Sequence, residues 1–141
     1  LENKVNSVSL EQLLAKSDFI SVNCDLNPTS FHLINRETLS LMKPSAVLIN
    51  TARGPIVAEA ALVEALEESV IGGAAMDVFE VEPLPDDSPL RKMENVMLAS
   101  HNSNSSPSAW ERVHWNTIRN LLKGLQIESS DLESMQQKYA L

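Results

Sequence analysis

Ala46-Val47-Leu48-Ile49-Asn50-Thr51-Ala52-Arg53-Gly54 is the stretch on which the reading of this chain turns. Its short, continuous apolar run fits a strand buried on both sides better than a helix. A polar segment carrying Arg53 follows at once. The same plan recurs twice. Gly72-Gly73-Ala74-Ala75-Met76 leads into Asp77-Val78-Phe79-Glu80-Val81-Glu82-Pro83, and Asn95-Val96-Met97-Leu98-Ala99-Ser100 leads into His101. In an open parallel sheet, ligands bind beyond the carboxyl ends of the strands. Arg53, Glu82 and His101 are therefore expected to converge on one cleft. A cation, a carboxylate and an imidazole there can orient an acid substrate and move a proton.

Ser9-Leu10-Glu11-Gln12 reads as a capping box, with Ser9 as cap and Gln12 reaching back, and predicts a short helix to about Lys16. Residues 19–24 read as an apolar, β-branched strand, broken by Asn27-Pro28-Thr29. A helix is expected over about 36–42, stopped by Pro44. A second, over 59–68, carries Ala61, Leu62, Ala65 and Leu66 on one face. Residues 73–78 form a strand of small residues, 83–89 an acidic proline-rich loop, and 95–99 a fourth strand. Ser106-Pro107 opens a long helix that Gly124 ends. Trp110, Val113, Ile118, Leu121, Leu122 and Leu125 follow helical spacing along it. The tail 126–141 has a weak amphipathic pattern and is expected to be partly disordered. The alternation gives an α/β class: a parallel sheet of about four strands, helices on both faces, right-handed crossovers, then a long C-terminal helix. Residues 1–125 are expected to form the domain.

A chain of 141 residues allows one real core. With 11 Lys and Arg against 19 Asp and Glu, its formal charge is −8, which makes it a poor partner for nucleic acid. No apolar run approaches a membrane span, and no membrane partner is expected. The single cysteine, Cys24, fits a reducing, cytoplasmic setting and reads as a small packing residue. His32 and His114 read as surface or helix-face residues, and Trp110 and Trp115 as packing or interface residues. No spacing among Cys24, His32, His101 and His114 suggests a metal. The four glycines (Gly54, Gly72, Gly73 and Gly124) lack G-x-G-x-x-G spacing, so the turn that cradles a dinucleotide's phosphates is absent.

Ser17-Asp18-Phe19-Ile20, Leu41-Met42-Lys43-Pro44, Asn50 to Gly54, Gly73 to Pro83 and Asn95 to His101 run in an order and spacing that resemble the D-isomer-specific 2-hydroxyacid dehydrogenases. The resemblance covers roughly residues 9–125. It implies a partial Rossmann fold: the second half of an NAD- or NADP-binding domain, and so a fragment of a longer enzyme that moves hydride between a nicotinamide cofactor and a small 2-oxo or 2-hydroxy acid. By residue type alone, Arg53 is a surface arginine, Glu82 an acidic loop residue like Glu80, Asp86 and Asp87, and His101 a partly buried histidine. The resemblance implies instead that Arg53 binds the substrate carboxylate, that His101 exchanges the proton, and that Glu82 pairs with His101 and favours its protonated form. It likewise implies that Asp77 accepts from the nicotinamide carboxamide, that the Thr51 and Ala52 backbone lies near the nicotinamide, and that Leu26 lines the cofactor cleft.

The chain departs from the family pattern at Asp25, in place of Pro, and at Ala58, in place of a helix-capping Asp whose loss removes an acceptor worth about 1 kcal/mol. Ala99-Ser100 stands for Thr-Pro, and Asn102-Ser103-Asn104-Ser105 for a glycine-containing run. Without the glycine-rich turn, the isolated chain is expected to bind no NAD(H) tightly and to lack dehydrogenase activity. It is also expected to form a homodimer, through a strand edge exposed by truncation or through the C-terminal helix. Two other readings stay open: a non-catalytic interaction module, and a truncated product with no independent activity.

Overall fold

The computed structural model describes residues 5–102 and 105–126. They fall in two compact units, Leu1–Ser103 and Asn104–Leu141. The first unit runs α1 (Leu10–Lys16), β1 (Phe19–Val22), α2 (Arg36–Ser40), β2 (Val47–Asn50), a short 3-10 turn (Gly54–Ile56), α3 (Glu59–Glu67), β3 (Gly73–Met76), a second 3-10 turn (Pro89–Lys92) and β4 (Val96–Leu98). The second unit holds α4 (Pro107–Gly124). The expected elements are all present, most of them one or two residues shorter. The expected disordered tail lies almost wholly outside the described residues.

The four strands form one parallel sheet in the order β1-β2-β3-β4. Register sets Ile20, Leu48, Ala74 and Val96 side by side, and one step on Val22, Asn50, Met76 and Leu98. This face meets the helices. Ile20, Val22, Leu48, Ala74 and Met76 cluster with Leu14 of α1, Leu39 of α2, and Leu62, Ala65 and Leu66 of α3. Each fully buried leucine in such a core stabilises the fold by about 1.5–3 kcal/mol. Gly73 holds β3 against the chain entering β4, since a Cβ there would lie 2.7 Å from the Asn95 carbonyl oxygen.

The other face carries Phe19, Ser21, Ile49, Ala75 and Met97. Phe19 is 71% exposed and Met97 73%. The expectation of helices on both faces is therefore corrected for this unit. The reason is topological. Strands placed in sequential order by crossovers of one hand put the connecting helices α2 and α3 on the same side, and α1 packs there with them. Cys24 is corrected as well: β1 ends at Val22, and Cys24 is exposed rather than packed.

Helix ends follow local chemistry. Ser9 accepts from the Gln12 amide at 3.3 Å, and Ser106 from the Ala109 amide at 3.1 Å. The reciprocal capping box expected at α1 is formed instead at α2, between Asn35 and Thr38. Helix α4 has no buried residue. Trp110, Val113 and Leu121 are each at least half exposed.

Candidate active site

Asn50 ends β2 with its side chain fully buried. That side chain accepts from the Ala52 amide at 3.1 Å and donates to the Arg53 carbonyl at 3.0 Å. A buried amide must be satisfied, and here the following turn satisfies it. The Asn50 carbonyl accepts from the Asp77 amide at 3.0 Å, tying the ends of β2 and β3. Arg53 emerges exposed, with one guanidinium N–H on the Ala52 carbonyl at 2.6 Å. Its other donors have no partner among the described residues. Gly54 follows because nothing larger fits: a Cβ there would sit 1.8 Å from the Phe79 carbonyl oxygen. The loop after β2 is thus pressed against the loop after β3.

Beyond β3, Glu82 turns back on its own loop. One carboxylate oxygen accepts from the Phe79 amide at 3.0 Å. The other lies 2.7 Å from His101 Nδ1, which donates to it. His101 Nε2 has no partner among the described residues. The hydrogen bond from His101, and then that from Phe79, hold the Glu82 carboxyl below its ordinary pKa. His101 follows β4 with φ 56°, a left-handed conformation that non-glycine residues seldom adopt. Buried Asp77 accepts from the Asn102 amide at 2.9 Å and so holds the chain just past His101. A cavity of about 570 Å³ opens here, lined in part by Glu82, Arg91, Leu98, Ser100 and His101.

The pair that sequence proposed, Glu82 and His101, is therefore in direct contact. Arg53 ends the neighbouring strand but makes no hydrogen bond or ion pair with either. With Leu26, Thr51 and Ala52 it lines a depression of about 670 Å³ just past the ends of β1 and β2. Thr51 and Asp77 also border a small apolar hollow of about 160 Å³ with Ile49, Ala75 and Met97, on the open sheet face. Among the described residues, no group of three or more His, Cys, Asp or Glu could hold a metal.

Sequence reasoning passed over Glu80 and His32. Glu80 Oε1 accepts from the Glu59 amide at 3.0 Å and lies 2.7 Å from His32 Nε2. Helix α3 is thus capped after all, by a residue 21 positions away. The signal was Ala58 itself, because a helix start without a local cap must find its acceptor elsewhere.

The family described as D-isomer specific 2-hydroxyacid dehydrogenase, NAD binding domain, matches residues 1–103. A glyoxylate reductase of Thermofilum pendens is 50% identical over 119 residues, covering 84% of this chain and 35% of the relative. The crystal structure of the apo form of Rhodotorula graminis D-mandelate dehydrogenase superposes with a TM-score of 0.76 at 32% identity, over 83% of this chain and 34% of that one. A D-isomer specific 2-hydroxyacid dehydrogenase from Xanthobacter autotrophicus, in complex with NADPH and MES, gives 0.68 at 42% identity, over 82% and 48%. The chain spans about a third of the length of the curated relatives it matches. It belongs to the D-isomer-specific 2-hydroxyacid dehydrogenases.

Proposed function

We propose that this member of the 2-hydroxyacid dehydrogenases builds the nicotinamide side of an active site that interconverts a small 2-oxo acid and its 2-hydroxy acid, using NAD or NADP. The observation that carries the reading is the 2.7 Å bond from His101 Nδ1 to Glu82, which leaves Nε2 without a partner among the described residues, beside a cavity. In the direction of reduction, Nε2 gives a proton to the substrate's carbonyl oxygen, and it recovers one in the reverse direction. Such a group contributes about 10²–10⁴-fold. Glu82 fixes the ring and compensates the charge on His101 when both nitrogens carry protons. Arg53 holds the substrate carboxylate with the donors it has free, a planar fork suited to that anion.

The residues present fit the nicotinamide end of the cofactor. The apolar hollow bordered by Thr51 and Asp77 suits a flat ring, and Leu26 and Ala52 line the depression next to it. When bound, the cofactor supplies the hydride. The glycine-rich phosphate turn is not among these 141 residues, so tight binding is not expected from them alone. Glyoxylate is the first substrate to try, given the Thermofilum relative.

The test replaces the matched segment of the Thermofilum enzyme with that of this chain. The expected result is a folded chimera that oxidises NADH or NADPH with glyoxylate and loses about 10²–10⁴-fold in kcat/KM on His101→Asn. A folded chimera indifferent to that substitution overturns the reading.

We further propose a homodimer for the isolated chain, on the strength of the exposed Phe19 and Met97 on one sheet face and of the position of β1 at the edge of the sheet. Sedimentation equilibrium giving a monomer of 15.5 kDa at micromolar concentration refutes it. A cytoplasmic setting is proposed on the free, exposed Cys24. No helix among the described residues is long and apolar enough to cross a membrane.

A further inference from the structure

We propose that Glu80 is a positioning residue for His101, acting through Glu82. This rests on the role given to His101 above. Glu80 lies two residues before Glu82 on the loop after β3, and its contacts tie that loop to two other parts of the unit. A single oxygen, Oε1, takes the Glu59 amide at the start of α3 and His32 Nε2 in the loop before α2. The Glu80 amide in turn donates to Glu59 Oε2 at 3.3 Å. His32 is itself held. Its amide donates to the Pro55 carbonyl at 2.9 Å, and its ring stacks on Phe31 with centroids 4.0 Å apart.

The chain from Phe79 to Glu82 is therefore fixed on both sides of one peptide. The Phe79 carbonyl presses on Gly54, and Glu80 is clamped to α3. Glu82 can meet both the Phe79 amide and His101 Nδ1 only while this turn keeps its shape. Releasing Glu80 lets the turn open, and the carboxylate that selects the Nδ1–H form of His101 moves away. The clamp needs reach more than charge. Glutamine puts an oxygen at the Oε1 position and can accept from both donors. Aspartate keeps the charge but is one methylene too short to span them.

The experiment is long-range proton–nitrogen NMR of the imidazoles in the 141-residue chain above neutral pH, with His114 as internal reference. The intact chain should show His101 protonated on Nδ1. Glu80→Ala should shift its tautomer to the pattern of the Glu82→Ala chain, with His114 unmoved, and Glu80→Gln should restore the parent pattern. If Glu80→Ala does not fold, Glu80→Asp carries the same expectation. A folded Ala or Asp variant with the parent His101 pattern overturns the proposal, because a merely stabilising cap would leave the tautomer alone. A folded Gln variant with the Glu82→Ala pattern overturns it too. No turnover is measured, so failure here leaves the chimera result standing, and failure of the chimera leaves the clamp standing.

Discussion

His32–Glu80 and His101–Glu82 are the same chemical pair twice over. In each, an imidazole nitrogen lies 2.7 Å from a carboxylate oxygen, and the histidine backbone is left-handed, with φ 51° at His32 and 56° at His101. Their carboxylates stand two residues apart on one loop. The surroundings separate them. The Glu80 oxygen that meets His32 also serves the first amide of α3, and the His32 ring is stacked on Phe31. His101 and Glu82 both line a cavity. A histidine–carboxylate pair is therefore not a functional signature in itself. The further partners of each atom, and the presence of open space, decide whether the pair braces the fold or faces a ligand.

The two pairs should differ most in turnover. In the active chimera, His101→Asn should cost about 10²–10⁴-fold in kcat/KM, whereas His32→Asn should stay within about a factor of ten. Equal losses would mean that the two pairs share one role. On stability the ranking should invert. Urea unfolding of the 141-residue chain should show Glu80→Ala losing about 1–3 kcal/mol, since it strips a helix cap and a charged acceptor. Glu82→Ala, which removes no helix cap, should lose about 0.5–1.5 kcal/mol. A larger loss at Glu82 would make its pair the brace.

A smaller effect appears with pH. Hydrogen bonds lower the Glu82 pKa in the folded chain. Its contribution is therefore present above the unfolded value and is lost as pH falls through the lowered one. Glu59, beside Glu80, goes the other way. Burial pushes its carboxyl up, the hydrogen bond from the Glu80 amide offsets part of this, and the Glu80 charge adds to it. Its contribution is present below the unfolded value and is lost as pH rises through the raised one. Melting temperatures followed from acid to neutral pH should show Glu82→Gln losing ground on the parent as pH rises and Glu59→Gln gaining. The same sign for both would sink the assignment. The smallest effect is the direct coupling of His32 to Glu80. A double-mutant cycle on this partly exposed pair should give about 0.2–1 kcal/mol, and a value well above that would mean that the ion pair, not the cap, holds the loop.

Much of the frame was legible. Ser9 and Ser106 cap as expected because a cap acts over three residues, within reach of sequence inspection. Glu82 and His101 were placed together because both follow strands whose apolar runs are unmistakable. Burial was less legible. Phe19-Ile20-Ser21-Val22 is a strand too short for its alternation to show which face is covered, and the exposed Phe19 reads as buried until the crossovers are known. Glu80 read as one acidic loop residue among several, because its partners lie 21 and 48 residues away.

The four strands, the helices between them and the placing of Arg53, Glu82 and His101 just beyond strand ends are legible in the chain alone, since hydrophobic period, caps and turn residues act over a few positions. Folding alone settled that α1, α2 and α3 share one face of the sheet and that Glu80 caps α3 in place of residue 58. Those outcomes depend on which distant segments the parallel register and the crossovers bring into contact, and no local pattern carries that information.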